Sequence, residues 1–263
     1  MIEFSKWQGL GNDFIVIDNR QQREPVLTPE QAKKLCRRHF GVGADGVIFA
    51  LPDHCMRMLN ADGSEPERCG NGLRCLGKFL RADESQTHMT IHTLAGATEL
   101  TFEPDGRVTV DMGEPLLSAH DIPTWLDEPF CVAGQTWRVS CVSMGNPHCV
   151  SFVDDVDAIA LSEVGPLFER HAVFPQRVNA EFVEVRSREH LRMVVWERGA
   201  GRTLACGTGA CAALVAGVLT DRCDRRAAVD LPGGRLQIQW SIESNRVLMT
   251  GPAEFVYAGK VNV

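Results

Sequence analysis

The chain has 263 residues, of which 44% are apolar and 23% charged, and a formal net charge of −7. That length carries one large domain or two of ordinary size, each with a real core, and the acidic balance leaves no basic footprint for a nucleic-acid partner. The first residues, "MIEFSKWQGLGNDF", hold Glu3 and Lys6 and no continuous apolar run, while the longest uncharged apolar run, "ACAALVAGVL" at 210–219, is too short to span a bilayer. A soluble cytoplasmic protein without a membrane partner is therefore the expectation.

Taken in chain order, β-branched or alternating runs predict strands at 2–7, 14–18, 47–50, 56–60, 90–93, 98–102 and 107–112 in the first half. The second half offers 136–142, 148–153, 180–186, 190–196, 227–231, 235–240 and 246–250, with turns such as "EPDGR" and "LPGGR" between hairpin-like pairs. A helix is predicted from Thr28 to His39, opened by a Thr28 cap with Pro29 first and Gln31 three residues on, and a partner from Ser162 to His171. Two further helices open on Cys-Gly-X-Gly, in "RCGNGLRC" (68–75) and "ACGTGACAA" (205–213). The second has no charge from Thr208 to Thr220, and a helix apolar all round must be buried all round, as at the centre of a curved sheet. The first carries Arg74, Lys78 and Arg81 and reads as only partly enclosed.

These elements repeat. "GLGNDFIV" (9–16) and "SMGNPHCV" (143–150) share Gly-Asn-X-X-X-Val at an offset of 134. "GVGADGVIF" (41–49) has a looser counterpart in "RVNAEFVEV" (177–185) at 136, and Cys69 and Cys206 lie 137 apart. The order and spacing predict a duplicated unit. The expected fold is α+β: two pseudo-symmetric tandem lobes, each a barrel-like, mostly antiparallel sheet wrapped around a central helix, with the active site in the cleft between them. The N-terminal lobe would be 1–115, completed by 252–263, and the C-terminal lobe 116–251.

Ten cysteines without a secretion signal point to a reducing compartment, and no two are closer than five residues, which argues against a zinc knuckle. Most read as small buried hydrophobes. Cys69 and Cys206 differ because each stands at a helix N-terminus, where unpaired amides and the positive end of the helix dipole meet an anion. Gly-X-Gly lets the backbone approach a ligand, the thiolate pKa is expected to fall, and the following amides can hold a carboxylate. Two such thiols on opposite faces of one carbon suit removal and return of the α-proton of an amino acid, with inversion.

Together "GLGNDF", "NADGSEPERCGNGLRC", "SMGNPHCV", "RVNAEFVEV" and "WERGAGRTLACGTGACAA" closely resemble the diaminopimelate epimerase family over essentially the whole length. Proline racemases share the paired Cys-Gly motifs, so a cofactor-independent racemase of another amino acid is the alternative. The resemblance implies interconversion of LL- and meso-diaminopimelate for lysine and peptidoglycan synthesis, with no pyridoxal phosphate, no metal, and a homodimer. It implies Cys69 as the base towards the LL isomer and Cys206 as the reprotonating acid. The amides of Gly70, Asn71, Gly207 and Thr208 would hold the reacting carboxylate. Asn12, Asn60, Asn146, Asn179 and Arg198 match substrate contacts, Arg198 as a planar fork for the distal carboxylate. Glu197 and His148 match positions that orient the amine and tune the cysteines. Some members carry Gln where this chain has Gly46, which is left out of the site.

Overall fold

The computed structural model describes residues 1–66, 69–120 and 122–263; Glu67 and Arg68 of the quoted "ERCGNG" lie outside them. The chain folds as two units, a first made of Met1–Val110 with Thr250–Val263, and a second made of Asp111–Met249.

In chain order the first unit holds β1 (Ile2–Gly9), β2 (Asn12–Asp18), α1 (Pro29–Cys36), β3 (Gly46–Leu51), β4 (Cys55–Asn60), α2 (Gly70–Leu80), β5 (His88–Thr93), β6 (Gly96–Phe102) and β7 (Val108–Asp111). The second holds β8 (Glu128–Val132), β9 (Gln135–Ser143), β10 (Pro147–Val153), α3 (Leu161–Glu169), β11 (Asn179–Ser187), β12 (His190–Glu197), β13 (Gly201–Arg202), α4 (Gly207–Leu219), β14 (Arg226–Leu231), β15 (Gly234–Trp240) and β16 (Val247–Gly251). The chain then returns to the first unit as β17 (Glu254–Val261), antiparallel to β1.

Hairpins supply the antiparallel pairs, and each parallel pair needs a crossover long enough to carry a helix. In the first unit β2 and β3 are parallel across α1, and β4 and β5 are parallel across α2. In the second, β10 and β11 are parallel across α3, and β12 and β14 across α4. The duplicated order of helices thus explains the duplicated order of strands. Helix α4 packs on β9, β10, β11, β12, β14 and β15, and α2 on β1, β2, β3 and β5, so in each unit the strands pack about one helix. The crossover helices lie over cores of their own: Leu35 with Phe4, Ile15 and Phe49 under α1, and Phe168 with Phe130, Trp137 and Phe182 under α3.

The apolar stretch 208–217 lies within the second unit as its periodicity requires, and the Thr28–Gln31 capping box opens α1. The first central helix departs from its expectation. Arg74 is fully buried, its Nε donating to Pro252 O at 3.0 Å and Nη2 to Asn71 Oδ1 at 2.9 Å. A guanidinium can be buried when its N–H groups are satisfied, and the returning C-terminal segment supplies the carbonyl. Helix α1 stops at Cys36 rather than His39, because Arg37 turns extended and His39 takes φ +71°. Strands β8, β13 and β17 carry weak sequence signals, a Pro in "EPFCV" and a Gly in "EFVYAGKV". No helix among the described residues is long and apolar enough to cross a membrane.

Burial of thiols makes the fold sensitive to alkali. Desolvation pushes Cys36 up to about 11 and Cys75 and Cys223 to about 12, against an ordinary value of 9.0. A group whose folded pKa is raised stabilises the fold fully below its unfolded pKa and loses that contribution as pH rises through the folded value. Thermal denaturation should therefore show Tm falling between about pH 9 and pH 12, less steeply in Cys75→Ala. A Tm that stays level over that window counts against this account.

Candidate active site

Each motif cysteine is the N-cap of its central helix. Cys69 (φ −139°, ψ 107°) and Cys206 (φ −117°, ψ 105°) are extended, and each sulfur accepts a hydrogen bond from the amide three residues on, Gly72 N and Gly209 N, both at 3.3 Å. Sulfur here takes the place of the Ser, Thr or Asp oxygen that usually satisfies this amide. The second glycine of Cys-Gly-X-Gly has a role that the motif's spacing alone did not reveal. It lies inside the helix, and a Cβ there would sit 3.3 Å from Cys69 Sγ at Gly72, or 3.1 Å from Cys206 Sγ at Gly209. That Cβ would also meet Ile48 Cδ1 at 3.0 Å in the first unit and Glu181 Oε1 at 2.7 Å in the second. The glycine leaves room for the sulfur and for the side chain behind it.

In the first unit the expected residues Asn12, Asn71, Gly70 and Cys69 gather at the head of α2. Asn71 Nδ2 donates to Asn12 Oδ1 at 3.0 Å, and Asn12 Nδ2 donates to Asp45 Oδ2 at 2.8 Å. Arg38 holds Asp45 in turn at 2.9 Å. Asn60, at the end of β4, pairs with Gly46 and donates from Nδ2 to Ser64 Oγ at 2.9 Å. At Gly46 a Cβ would lie 2.8 Å from Met58 Cε and 2.9 Å from Leu59 O, so this backbone has no space for a longer side chain.

In the second unit Asn146, His148, Gly207 and Thr208 lie at the head of α4 and Glu197 faces Cys206, while Asn179 opens β11 and Arg198 follows β12. Gly145 takes φ +90°, the left-handed turn before Asn146. Asn146 Nδ2 donates to Thr208 Oγ1 at 3.3 Å, as Asn12 meets Asn71 in the first unit. His148, wholly buried, sets Nε2 against Asn146 Oδ1 at 3.0 Å and Nδ1 against Glu181 Oε1 at 2.7 Å. Asn179 donates to Pro147 O at 2.8 Å and accepts from the Arg198 amide at 2.9 Å. The Arg198 guanidinium is exposed and donates to Gln176 O at 3.3 Å, while Thr203 Oγ1 donates to Glu197 Oε1.

The electrostatics correct one expectation. A helix N-terminus alone would lower the Cys206 pKa, yet Cys206 lies well above the usual thiol range. Burial is the largest cause, followed by the Glu197 and Glu181 carboxylates, and these outweigh the Thr208 and Gly209 donors. Burial and the two carboxylates thus favour the thiol over the thiolate at Cys206. Burial also raises Glu181, against the lowering effect of His148.

Strand register also refines the repeat. Val16 pairs with Ile48 in the first unit and Val150 with Glu181 in the second, so β3 and β11 correspond at an offset of 133, not 136. Gly46 thus corresponds to Asn179, and Ile48 to Glu181. Asp45 and Glu181 are the polar groups that sequence reasoning missed. The signal for Glu181 was present as an acid set among Ala180, Phe182 and Val183 in a β-run.

Over its full length the fold matches a PhzF-family phenazine biosynthesis protein from Bacillus anthracis (TM-score 0.72, 17% identity, 100% of this chain and 99% of that one). It equally matches a predicted epimerase from Pseudomonas aeruginosa (TM-score 0.71, 16% identity, 100% of both chains). At such identities the likeness defines a class of fold, a duplicated sheet-and-helix unit. Residues 4–117 and 140–256 match the family model for diaminopimelate epimerase. The diaminopimelate epimerase of Synechocystis sp. is 60% identical over 277 residues, covering 100% of this chain and 99% of that one. The chain belongs to the diaminopimelate epimerase family.

Gly209 offers a direct test of the cap. Gly209→Ala puts a methyl against Cys206 Sγ and Glu181 Oε1, and should destabilise the protein by about 1–3 kcal/mol in a denaturant titration. A substitution without effect on stability would remove the steric account of the second glycine.

Proposed function

We propose that the chain is a cofactor-independent epimerase interconverting LL- and meso-diaminopimelate by two-base proton transfer. The observation that carries the reading is the sulfur cap built twice, at Cys69 and at Cys206. In the LL-to-meso direction the Cys69 thiolate takes the α-proton and becomes a thiol. The electron pair left on the α-carbon is delocalised into the carboxylate, held by the amides of Gly70, Asn71, Gly207 and Thr208. The Cys206 thiol gives its proton to the opposite face and becomes the thiolate, and the reverse reaction exchanges the roles. The burial and the facing carboxylates that raise the Cys206 pKa favour its protonated form, which supports its part as the acid. Asn12, Asn60, Asn146 and Asn179 contact the substrate, Arg198 pairs with the distal carboxylate, and Glu197 and His148 orient the amine and tune the thiols. The reaction belongs in the cytoplasm, supplying lysine and peptidoglycan precursors.

In heavy water the product should carry solvent deuterium at the inverted carbon from the first turnover, while substrate recovered early carries little. Cys69→Ala and Cys206→Ala should each abolish epimerisation, and chelators and carbonyl-trapping reagents should leave it intact. Rapid labelling of substrate without inversion, or either variant at near-normal rate, defeats the two-thiol mechanism. Arg198→Lys keeps the charge and loses the fork, so diaminopimelate turnover should fall by about 1–3 kcal/mol, with little effect on a monocarboxylate amino acid. Equal losses on both substrates would move Arg198 to the reacting carboxylate.

The protein is also proposed to be a homodimer, supported by the exposed apolar residues Phe255, Val256 and Tyr257 on β17. Sedimentation should give a dimer, and Phe255→Asp should weaken it; a monomeric parent chain overturns the assignment.

A further inference from the structure

The two halves agree at the sulfur, the glycine and the asparagine bonded to the second helical residue, and differ in what stands behind them. In the first unit the positions behind the cap are Phe14 and Ile48, both wholly buried and apolar. In the second unit the same register positions are His148 and Glu181, equally buried and both titratable. The fold does not require the polar pair, because its own first half fills the place with hydrocarbon. Removing a carboxyl and an imidazole from water is costly, and replacing such pairs by apolar residues is often neutral or stabilising. Something other than packing keeps the pair.

The hydrogen bonds show where it leads. Glu181 Oε1 meets His148 Nδ1 at 2.7 Å, and His148 Nε2 meets Asn146 Oδ1 at 3.0 Å. Asn146 Nδ2 meets Thr208 Oγ1 at 3.3 Å, and Thr208 Oγ1 lies 3.6 Å from Cys206 Sγ. We propose that Glu181 is a positioning residue for proton transfer at Cys206, acting through His148 to fix the Asn146 carboxamide and the Thr208 hydroxyl beside the sulfur. An oxygen of Asn146 can only accept, so His148 Nε2 must carry hydrogen. One further proton lies between Nδ1 and Glu181. On either atom it leaves the pair neutral and Nε2 a donor, which turns the Asn146 NH2 towards Thr208. Without Glu181 the imidazole is free to carry its hydrogen on Nδ1, and the carboxamide loses its fixed sense.

The titratable groups facing the pair are Glu197 of β12, Cys149 beside His148 on β10, and Cys206 itself. Glu181 Oε2 has no hydrogen-bond partner among the described residues, and burial raises Glu181, both of which favour a carboxyl that retains or shares a proton.

The kinetic arm of the test rests on the epimerase reading; the spectroscopic arm does not. Glu181→Ile copies the first half, and Glu181→Gln keeps a hydrogen-bonding group opposite Nδ1. In the full chain, Glu181→Ile should keep the parental Tm, hold KM within about twofold, and lose roughly tenfold or more in kcat with diaminopimelate. Glu181→Gln should recover most of that loss. If Glu181→Ile folds poorly, His148→Phe combined with Glu181→Ile restores the apolar pair, and should fold like the parent yet share the loss in kcat. In the free protein, imidazole 15N NMR should show one Nε2–H species of His148, retained in Glu181→Gln and lost to a tautomer mixture in Glu181→Ile. A folded Glu181→Ile with parental kcat, or an unchanged His148 tautomer in it, overturns the inference, as does Glu181→Gln as impaired as Glu181→Ile. A parent chain inert towards diaminopimelate but with the expected tautomer pattern would instead overturn the substrate assignment.

Discussion

The rest of each unit depends on a sulfur atom accepting a hydrogen bond from the third amide of a buried helix. An N-cap must be extended while the next residue is helical, so Cys69 and Cys206 stand where an extended segment turns into α2 and α4. The amide must point at the sulfur without a Cβ in the way, so Gly72 and Gly209 follow at the third position. The helix must be enclosed if the sulfur is to work away from water, so the strands pack around it and its interior is Leu73 and Leu76, or Ala212, Ala213 and Leu214. Parallel strand pairs β4–β5 and β12–β14 follow, because the helix is itself the crossover between them.

Much of this was legible in the residues because it is local or periodic. A 13-residue helix with no charge declares its burial, and a Thr-Pro-X-Gln run declares a capping box. What was not legible depends on segments distant in the chain. Arg74 looks like surface in a helical projection, and is buried because Pro252, 178 positions later, offers a carbonyl. Strand β17 carries little pattern of its own and is set by its seven-residue register against β1. The Cys206 pKa could not be read from the helix terminus alone, since the opposing charges come from Glu197 and Glu181 on other strands. Glu181 and Asp45 were missed although both lie inside quoted stretches, because their part shows only in contacts made across strands, Asp45 with Asn12 and Glu181 with His148.

Duplication makes the comparison of halves informative, because each half is a control for the other. Features present in both, the cap, the glycine and the asparagine bonded to the second helical residue, are what any unit of this kind needs to present a sulfur at a helix end. Features present in one alone have to be explained by what that half does differently. Gly46 and Asn179 are one such contrast: the first half is closed at this position by Met58 and Leu59, and the second carries an amide that braces the Arg198 backbone.

A two-base epimerase cannot be symmetric at the instant of reaction, since one sulfur must be empty of a proton and the other must hold one. Two identical half-sites would leave that choice to chance and to the substrate. In this chain the two sulfurs differ in their surroundings: Cys206 is buried and faced by Glu197 and Glu181, which raises its pKa, whereas Cys69 is half-buried, with Ile48 and Met56 near the Gly72 that donates to it. On the proposed two-thiol mechanism this difference cannot be made too strong, because the reverse reaction would need Cys206 to give up its proton. A carboxyl that is itself raised by burial, and coupled to an imidazole, is a soft source of negative charge whose influence can fall when the adjacent sulfur ionises. An apolar pair could not adjust in this way, and a fully ionised carboxylate would oppose the thiolate at every step. The His148–Glu181 pair therefore lies where symmetric packing and an asymmetric reaction make different demands on the same fold.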